Sequence, residues 1–258
     1  TKSKVRLALK HWDAGTLLAW EASDPREAHP EVRDKTTGQP RPVGSQLYLG
    51  YGPVVFKQGT ALKANAALQA GKSNELSLAW PDTETAIPHT LQLIDWFGTI
   101  GGRSRNGWGS LSLDREPLTA QHPQLASVLR NLRDCLKLDW PHAIGQDASG
   151  PLVWESAEKL GDWQAAMKFL ARTKIGFRTH LKFNGGQPHP QPQERHMLAY
   201  PVTNHAVQGW YRDARLANQL RFKLFRDTGK QLRARIYHTP HHSPLPMGKL
   251  DQAAQLAV

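Results

Sequence analysis

The sequence predicts an α+β fold, because strand-like and helix-like apolar patterns both recur along its 258 residues. Val5, Leu7 and Leu9 alternate with basic residues, which predicts a half-buried strand with a basic outer face. Residues 123–139 have a helical period, with their apolar side chains on one face. Near the C-terminus, alternating segments flank the turn residues 227–229, which predicts a β-hairpin.

The first half of the chain has the strand, helix and loop signals of one small lobe. After the first strand, the predicted elements are an exposed loop at residues 21–44, an apolar, glycine-broken segment at 47–56, a strand pair at 61–67 and 74–80 around a turn at Gly71, a helix end at 91–97 and a closing strand at 110–114. Together they predict a ferredoxin-like (RRM-like) lobe over residues 1–118.

The second half predicts another lobe, over residues 119–258. Its first predicted elements are the helix at 123–139 with Cys135 as core filler, a turn at 147–150 before a short apolar run, and a helix at 163–171 capped by Asp162. Strands at 174–183 and 197–202 follow, separated by a proline-rich loop at 184–194, and then the hairpin arms at 220–224 and 232–237. The chain closes with a His/Pro tail at 238–246, in which the pair His241-His242 is expected to be disordered, and a weak helix at 250–258.

A glycine-rich loop follows the helix end, with five glycines between residues 98 and 109. Glycine permits positive φ, and successive exposed N–H groups form an anion-binding concavity. Arg103, Ser104 and Arg105 add donors that suit phosphate oxygens. Trp108 either stacks on a base or anchors the loop in the core. The loop matches neither the dinucleotide-binding nor the P-loop motif, so a long turn with solvated arginines is the alternative.

The predicted strand at residues 174–183 carries a second group of cations. Its alternation places Lys174, Arg178, His180 and Lys182 on one face, where they repel one another unless an anion lies opposite. A solvated outer face of a sheet is the alternative interpretation. If an anion is bound, this face lines the same groove as the glycine loop.

Composition indicates the class of partner. The net charge of +11 and the pI of about 9.9 favour a polyanion. One cysteine excludes an internal disulfide and any cysteine-rich metal site, and agrees with a reducing cytoplasm. We expect no membrane association, because no apolar run approaches the length of a span. No metal-binding motif occurs, so neither a metal nor a cofactor is expected.

The run GTIGGRSRNGWGS, from Gly98 to Ser110, resembles the glycine-rich signature of the RAMP superfamily, the RNA-binding subunits of CRISPR effector complexes. More narrowly, it is similar to subunit one of the type III-B (Cmr) complex. The segments YLGYG, WPHAIGQD, GPLVW and KIGFRTHLKF extend the resemblance, as does the order of elements in the C-terminal half. The chain departs from the family at Asn106, where an arginine is usual, and at residues 215–218, where a Ser-Pro pair is common.

The resemblance implies a RAMP fold and a non-catalytic, cytoplasmic protein that contacts guide RNA and target RNA at the end of the effector filament, beside other RAMP subunits. The family's first strand and basic helix have no counterpart here, so an N-terminal piece is expected to be missing or supplied by another polypeptide. The predicted RNA-binding residues are Gly101, Gly102, Arg103, Ser104, Arg105, Asn106, Gly107, Trp108, His142, Lys174, Arg178, His180, Lys182 and Arg215.

Two other functions stay open at this point. The first is a metal-independent endoribonuclease that processes CRISPR precursor RNA, since general acid–base cleavage needs groups that titrate near neutrality. Its candidate residues are His142, His180, His205, His241 and His242, with Lys174 or Arg178 to stabilise the transition state. The second is a scaffold that contacts only protein subunits. We predict no catalytic residue.

Overall fold

The structure is a computed structural model, and it describes residues 3–19, 24–113, 115, 117–119 and 122–246. Over these residues the predicted mixture of helices and strands is confirmed, and six helices and twelve strands are described. Asp114 and the helix predicted at residues 250–258 lie outside the described residues. The division of the chain at residue 118 stays a prediction.

The helices are α1 (Ser45–Gly50), α2 (Ala86–Phe97), α3 (Pro123–Ala126), α4 (Leu132–Cys135), α5 (Trp163–His180) and α6 (Glu194–Leu198). The strands are β1 (Arg6–Leu9), β2 (Arg26–Glu27), β3 (Val43–Gly44), β4 (Val54–Phe56), β5 (Thr60–Leu62), β6 (Leu76–Ala79), β7 (Leu129–Asn131), β8 (Ile144–Asp147), β9 (Gly150–Pro151), β10 (Val153–Glu155), β11 (Leu220–Arg226) and β12 (Leu232–His238).

The strands form small sheets. Two sheets have three strands, in the orders β10-β12-β11 and β7-β8-β9, and the pairs β1-β6, β2-β3 and β4-β5 complete the set within the described residues. The hairpin predicted near the C-terminus is confirmed, because β11 and β12 pair antiparallel from Leu220–His238 to Arg226–Leu232.

The largest core lies between helix α5 and the β11-β12 hairpin. Met167 and Leu170 of α5 are fully buried beside Phe222 of β11 and Ala234 of β12. Leu49 of α1 belongs to the same cluster, so residues from both halves of the chain share one core. This packing places α1 directly against α5, which determines the site described below.

The N-terminal strand is confirmed, but the prediction that it is half-buried is wrong. Leu7 is 69% exposed and Leu9 is 47% exposed, because β1 pairs only with the equally exposed β6. The predicted pairing of residues 61–67 with 74–80 is also wrong, since β5 pairs with β4 instead. The turn at Gly71 is present, with a φ of 84°.

Several N-terminal segments have more structure than the sequence predicted. The loop at residues 21–44 contains strands β2 and β3 in its described part. The Asp24 carboxylate accepts hydrogen bonds from the first amides of α1, those of Gln46 (2.8 Å) and Leu47 (2.9 Å). The glycine-broken segment that follows therefore forms α1 and then β4.

The closing strand predicted at 110–114 is reduced in its described part to a bridge between Ser110 and Thr99.

The single helix predicted at residues 123–139 is wrong. The structure contains α3, strand β7 and α4 in its place, because Leu129 and Asn131 pair with β8 in parallel. Backbone groups that pair with a strand cannot also make the helical hydrogen bonds. Cys135 is fully buried on α4, as predicted, and burial raises the pKa of its thiol.

The strand predicted at residues 174–183 is wrong as well. Asp162 caps the helix as expected, with its carboxylate accepting from the amide of Ala165 at 2.7 Å, but α5 continues to His180. The buried residues Met167, Ala171 and Ile175 recur every four positions, which is a helical period. The alternation in KIGFRTHLKF is therefore incidental to a longer helix.

Two C-terminal predictions also fail. The apolar segment at residues 197–202 ends helix α6, and its only strand-like pairings in the described structure are bridges at Tyr200 and Val202. The tail at 238–246 is ordered, because Pro240, His241 and Ser243 are buried. The turn predicted at 147–150 is present between β8 and β9.

Candidate nucleic-acid interface

The glycine-rich loop, residues 98–110, leaves the C-terminus of α2 and is attached to β11. The buried Lys223 ammonium donates to the carbonyls of Ile94 (3.0 Å) and Gly98 (2.8 Å) at the C-terminus of α2, and each of these carbonyls also accepts from a backbone amide. The amide of Phe222 donates to the Arg105 carbonyl at 3.1 Å. The amide of Leu224 donates to the Ser110 hydroxyl at 2.9 Å. The loop is thus held on the hairpin at three points.

The loop conformation depends on positive φ at several positions. Gly101, Gly107 and Gly109 have φ of 88°, 89° and 65°, and Arg103 adopts 60°. A Cβ at Gly109 would lie 1.7 Å from the Ile100 carbonyl oxygen, and one at Gly107 would lie 2.4 Å from Leu170. Both glycines are therefore required by close approach as well as by φ. Gly101 is required by φ alone, since nothing lies within 4 Å of its Cβ position.

The tip of the loop presents its backbone amides outward. In the described structure, the amides of residues 101–105 donate no hydrogen bond to another group, whereas those of Asn106 and Gly107 donate to Arg103 (2.8 Å) and Ser104 (3.4 Å). Gly101, Gly102, Arg103 and Arg105 are exposed, and Ser104 is half-buried. Successive free amides of this kind suit an anion.

Asn106 and Trp108 face the protein interior. The buried Asn106 donates to the Leu49 carbonyl at 2.7 Å and accepts from the Lys174 ammonium at 2.7 Å. Trp108 packs edge-on against Trp163 of α5, with ring centroids 5.5 Å apart. Of the two interpretations of Trp108, the structure favours the core anchor. The asparagine at position 106 joins the loop to α1 and α5, and an arginine could not replace it in both contacts, because a guanidinium has no acceptor for the Lys174 ammonium.

Arg103, Lys174 and Arg178 come together beside the loop, and we call them the loop–helix cluster. Lys174 and Arg178 are four residues apart on α5 and therefore share a face. Both Arg103 and Arg178 lie close enough to Lys174 to lower its pKa, and the Arg103 guanidinium lies against Gly52. The loop and the cations at 174 and 178 are therefore neighbours, as the prediction of a shared surface requires, although α5 is a helix and not a strand.

The cluster has no carboxylate partner among the described residues. Glu31 is the nearest acid to Arg178, and it forms a bidentate pair with the buried Arg195. Tyr48 lies beside Arg178, and its ring lies 5.7 Å from the Lys174 ammonium. Three neighbouring cations repel one another, and a bound anion relieves this repulsion more fully than Glu31, whose carboxylate is paired with Arg195.

The pKa values in the cluster are shifted mainly by burial. Burial lowers the pKa of Lys174 to about 7, and Arg178 and Arg103 contribute in the same direction. Burial also lowers the pKa of Arg178 and raises that of Tyr48. Lys174 is therefore poised to gain a proton when an anion arrives.

Arg105 points away from this cluster, toward β11. It is near enough to Arg221 and His241 to lower the pKa of each, and it makes no ion pair in the described structure. The two arginines of the loop therefore have different neighbours: Arg103 lies near Lys174 and Arg105 lies near Arg221. The sequence could not predict this difference.

The other predicted site residues lie farther from the loop–helix cluster. His180 ends α5 and Lys182 follows it, both exposed and off the face that carries Lys174 and Arg178. His142 packs beside Trp140, with ring centroids 5.3 Å apart. Arg215 is exposed and donates to the neighbouring Ala214 carbonyl at 2.7 Å. In the described structure, none of the four forms a hydrogen bond, ion pair or ring contact with the glycine loop.

The histidines proposed for ribonuclease chemistry do not gather at one place. His205 stacks on Phe183, with centroids 3.8 Å apart, and contacts His189 at 2.9 Å between ring nitrogens. His241 is buried near Arg105, and His180 lies at the end of α5. Within the described residues, no group of three or more His, Cys, Asp or Glu side chains could hold a metal ion.

Sequence reasoning missed residues that position the site. Lys223 reads as a polar member of a strand, yet it is fully buried at the α2 C-terminus, and burial lowers its pKa to about 7. Tyr48 lies in a segment interpreted only as apolar, and Arg195 lies between the loop predicted at 184–194 and the strand predicted at 197–202. A buried lysine leaves no signal in hydrophobic periodicity, because the pattern predicts that a polar residue faces solvent.

No protein-family model, no curated protein and no solved structure matches the chain. The RAMP resemblance therefore stays a prediction from motifs. Over the ranges that the structure covers, no helix combines the length and apolarity needed to cross a bilayer.

Proposed function

We propose that this protein binds the phosphate backbone of single-stranded RNA across its glycine-rich loop. The observation that carries the proposal is the loop–helix cluster: Arg103, Lys174 and Arg178 lie together beside the free amides of residues 101–105, without a carboxylate partner among the described residues. Guanidinium groups, an ammonium and free amides are the donors that phosphate oxygens prefer.

The same donors argue against base-specific recognition by this surface. Phosphate contacts fix the register of a strand but carry no sequence information. Such a protein suits a complex in which base pairing reads the sequence. On the strength of the motif resemblance, we propose a non-catalytic, cytoplasmic subunit of a type III CRISPR ribonucleoprotein. It contacts guide and target RNA beside other RAMP subunits, and its α+β fold is a ferredoxin-like RAMP variant in this proposal.

The test is binding of a single-stranded RNA at several salt concentrations, with EDTA present. We expect affinity to fall with salt with a log–log slope at least as steep as roughly −2, since the three cations of the loop–helix cluster each contribute about −0.7 on a single strand. The RNA should remain intact. Defined cleavage that persists in EDTA would favour the endoribonuclease instead, and absence of binding would favour the protein-only scaffold.

RNA affinity should also depend on pH above neutrality. Lys174 has a pKa of about 7 in the free protein, and a bound phosphate raises it. Affinity is therefore complete below pH 7 and falls as pH rises above 7, by at most about tenfold per unit for one proton taken up. Anisotropy titrations between about pH 7 and 8.5 lie above the histidine range, but Lys223 also has a pKa of about 7, so variants of Lys174 are needed to separate the two lysines.

Two variants identify Lys174 as the source of this pH dependence. Lys174→Arg keeps a charge throughout the range and should bind with little change between pH 7 and 8.5. Lys174→Gln should bind weakly at every pH. If wild type is as independent of pH as the arginine variant, Lys174 does not contact the phosphate.

A further inference from the structure

The second arginine of the glycine loop is fixed in a different setting from the first. The Arg105 carbonyl accepts from the amide of Phe222 at 3.1 Å, and Asn106 forms a bridge with Phe222. This attachment places Arg105 beside Arg221, the preceding residue of β11, and the two guanidinium groups interact electrostatically. In the described structure neither makes an ion pair with a carboxylate.

The Arg221 side chain is held in place by a chain of two hydrogen bonds. Its Nε donates to the Thr239 hydroxyl at 3.1 Å, and that hydroxyl donates to the Gln219 carbonyl at 3.1 Å. Arg221 is half-buried, and burial followed by the charge of Arg105 lowers its pKa. Two adjacent guanidinium groups, one of them partly desolvated, are stabilised by an anion between them.

A buried histidine lies next to the arginine pair without adding charge. His241 is 2% exposed, and its Nδ1 lies 3.3 Å from the Thr239 carbonyl. Burial lowers the pKa of His241, and Arg221 and Arg105 lower it further, while Asp139 acts in the opposite direction. The ring is therefore neutral at pH 7, and Asp139 is the acid nearest to it.

An exposed aromatic side chain follows the segment that the buried tail contacts. The amide of His242 donates to the Leu138 carbonyl at 2.8 Å, which ties the buried tail to the segment that leads to Trp140. Trp140 is 55% exposed and packs beside His142. An exposed tryptophan beside an anion site favours a nucleotide over a free phosphate, because a base can stack on the indole.

We propose that Arg105 and Arg221 bind the phosphate of a second nucleotide, and that the base of that nucleotide stacks on Trp140. This inference rests on the proposed RNA binding and extends it. In this arrangement the RNA strand crosses the glycine loop from the loop–helix cluster to β11. In this proposal His142, which the sequence predicted to contact RNA, supports the Trp140 ring instead.

The experiment compares binding of an oligouridylate of about 10 nucleotides to the full chain and to variants, by fluorescence anisotropy. Arg221→Gln should weaken binding at least about fivefold and reduce the salt slope by about 0.7. Trp140→Ala should weaken binding about 5- to 100-fold with an unchanged salt slope, because it removes stacking and no charge. The matched controls are Arg226→Gln on the same strand and Trp12→Ala, an indole 85% exposed elsewhere.

Lys174→Gln, measured in parallel, separates the two proposals. If Lys174→Gln loses affinity while Arg221→Gln and Trp140→Ala bind like wild type, the second site is overturned and the proposed function stands. If wild type does not bind the oligouridylate, both are overturned. Because Arg221 is half-buried, the thermal stability of its variant is measured first, and its affinity is used only if the variant unfolds at the wild-type temperature. Trp140 is exposed, so Trp140→Ala tests the second site without a risk to folding.

Discussion

Replacing Arg103 and Lys174 together by glutamine should lower RNA affinity by at least about 100-fold. Each side chain makes a charge-assisted contact with phosphate in this account, and such a contact contributes about 1.5–3 kcal/mol. The log–log salt slope should fall by about 1.4, because two cations no longer displace counterions from a single strand. Glutamine at position 174 retains a donor for Asn106, so the buried hydrogen bond at 2.7 Å can be preserved.

The matched control removes two positive charges from the same helix. Lys168 and Arg172 are exposed on α5, and Arg172 already pairs with Glu158 at 3.3 Å. The double variant Lys168→Gln with Arg172→Gln should bind nearly as tightly as wild type. Equal losses in the two double variants would mean that net charge, and not the loop–helix cluster, governs binding.

Gly109→Ala should unfold the glycine-rich loop and destabilise the protein. An alanine there adopts a left-handed φ at a cost of about 1–2 kcal/mol, and its Cβ overlaps the Ile100 carbonyl oxygen. Relief of such an overlap costs about 1–3 kcal/mol more. We therefore expect a loss of roughly 2–5 kcal/mol, seen in thermal unfolding as roughly 2–4 °C per kcal/mol. RNA affinity should fall as well, because the free amides are displaced.

Gly101→Ala is the control, because it places a side chain at a positive φ without an overlap. Gly101 has a φ of 88° and open space at its Cβ position, so only the conformational cost of about 1–2 kcal/mol applies. If both alanine variants unfold at the same temperature, the close approach at Gly109 does not constrain the loop.

The sequence was most informative where local chemistry determines local structure. The cap at Asp162 and the hairpin at residues 220–237 are both present, since a side-chain acceptor and a turn act over a few residues. The glycine-rich loop also lies where expected, after the buried end of α2.

The failures have a common physical cause. Short apolar segments fit either period, and tertiary pairing decides between them. Residues 129–131 leave their helical pattern to pair with β8, whereas residues 174–180 leave their alternating pattern to extend α5. The proposed site was recoverable despite this error, because Lys174 and Arg178 share a face at a spacing of four on a helix and also at a period of two on a strand.

The partners of these residues could not be predicted. Asn106 looked like a lost charge in the loop motif, but it joins Leu49 to Lys174 across α1 and α5. That contact spans 57 residues of chain on one side and 68 on the other, and no local pattern encodes it.

The most direct test of the central claim is UV crosslinking of the full chain to single-stranded RNA, followed by peptide mapping. The account predicts crosslinks in the peptides that contain residues 101–105 and Lys174, and their loss in the Arg103→Gln, Lys174→Gln double variant. RNA that binds with wild-type affinity but crosslinks only to other peptides, with the loop peptides unmodified, would contradict it.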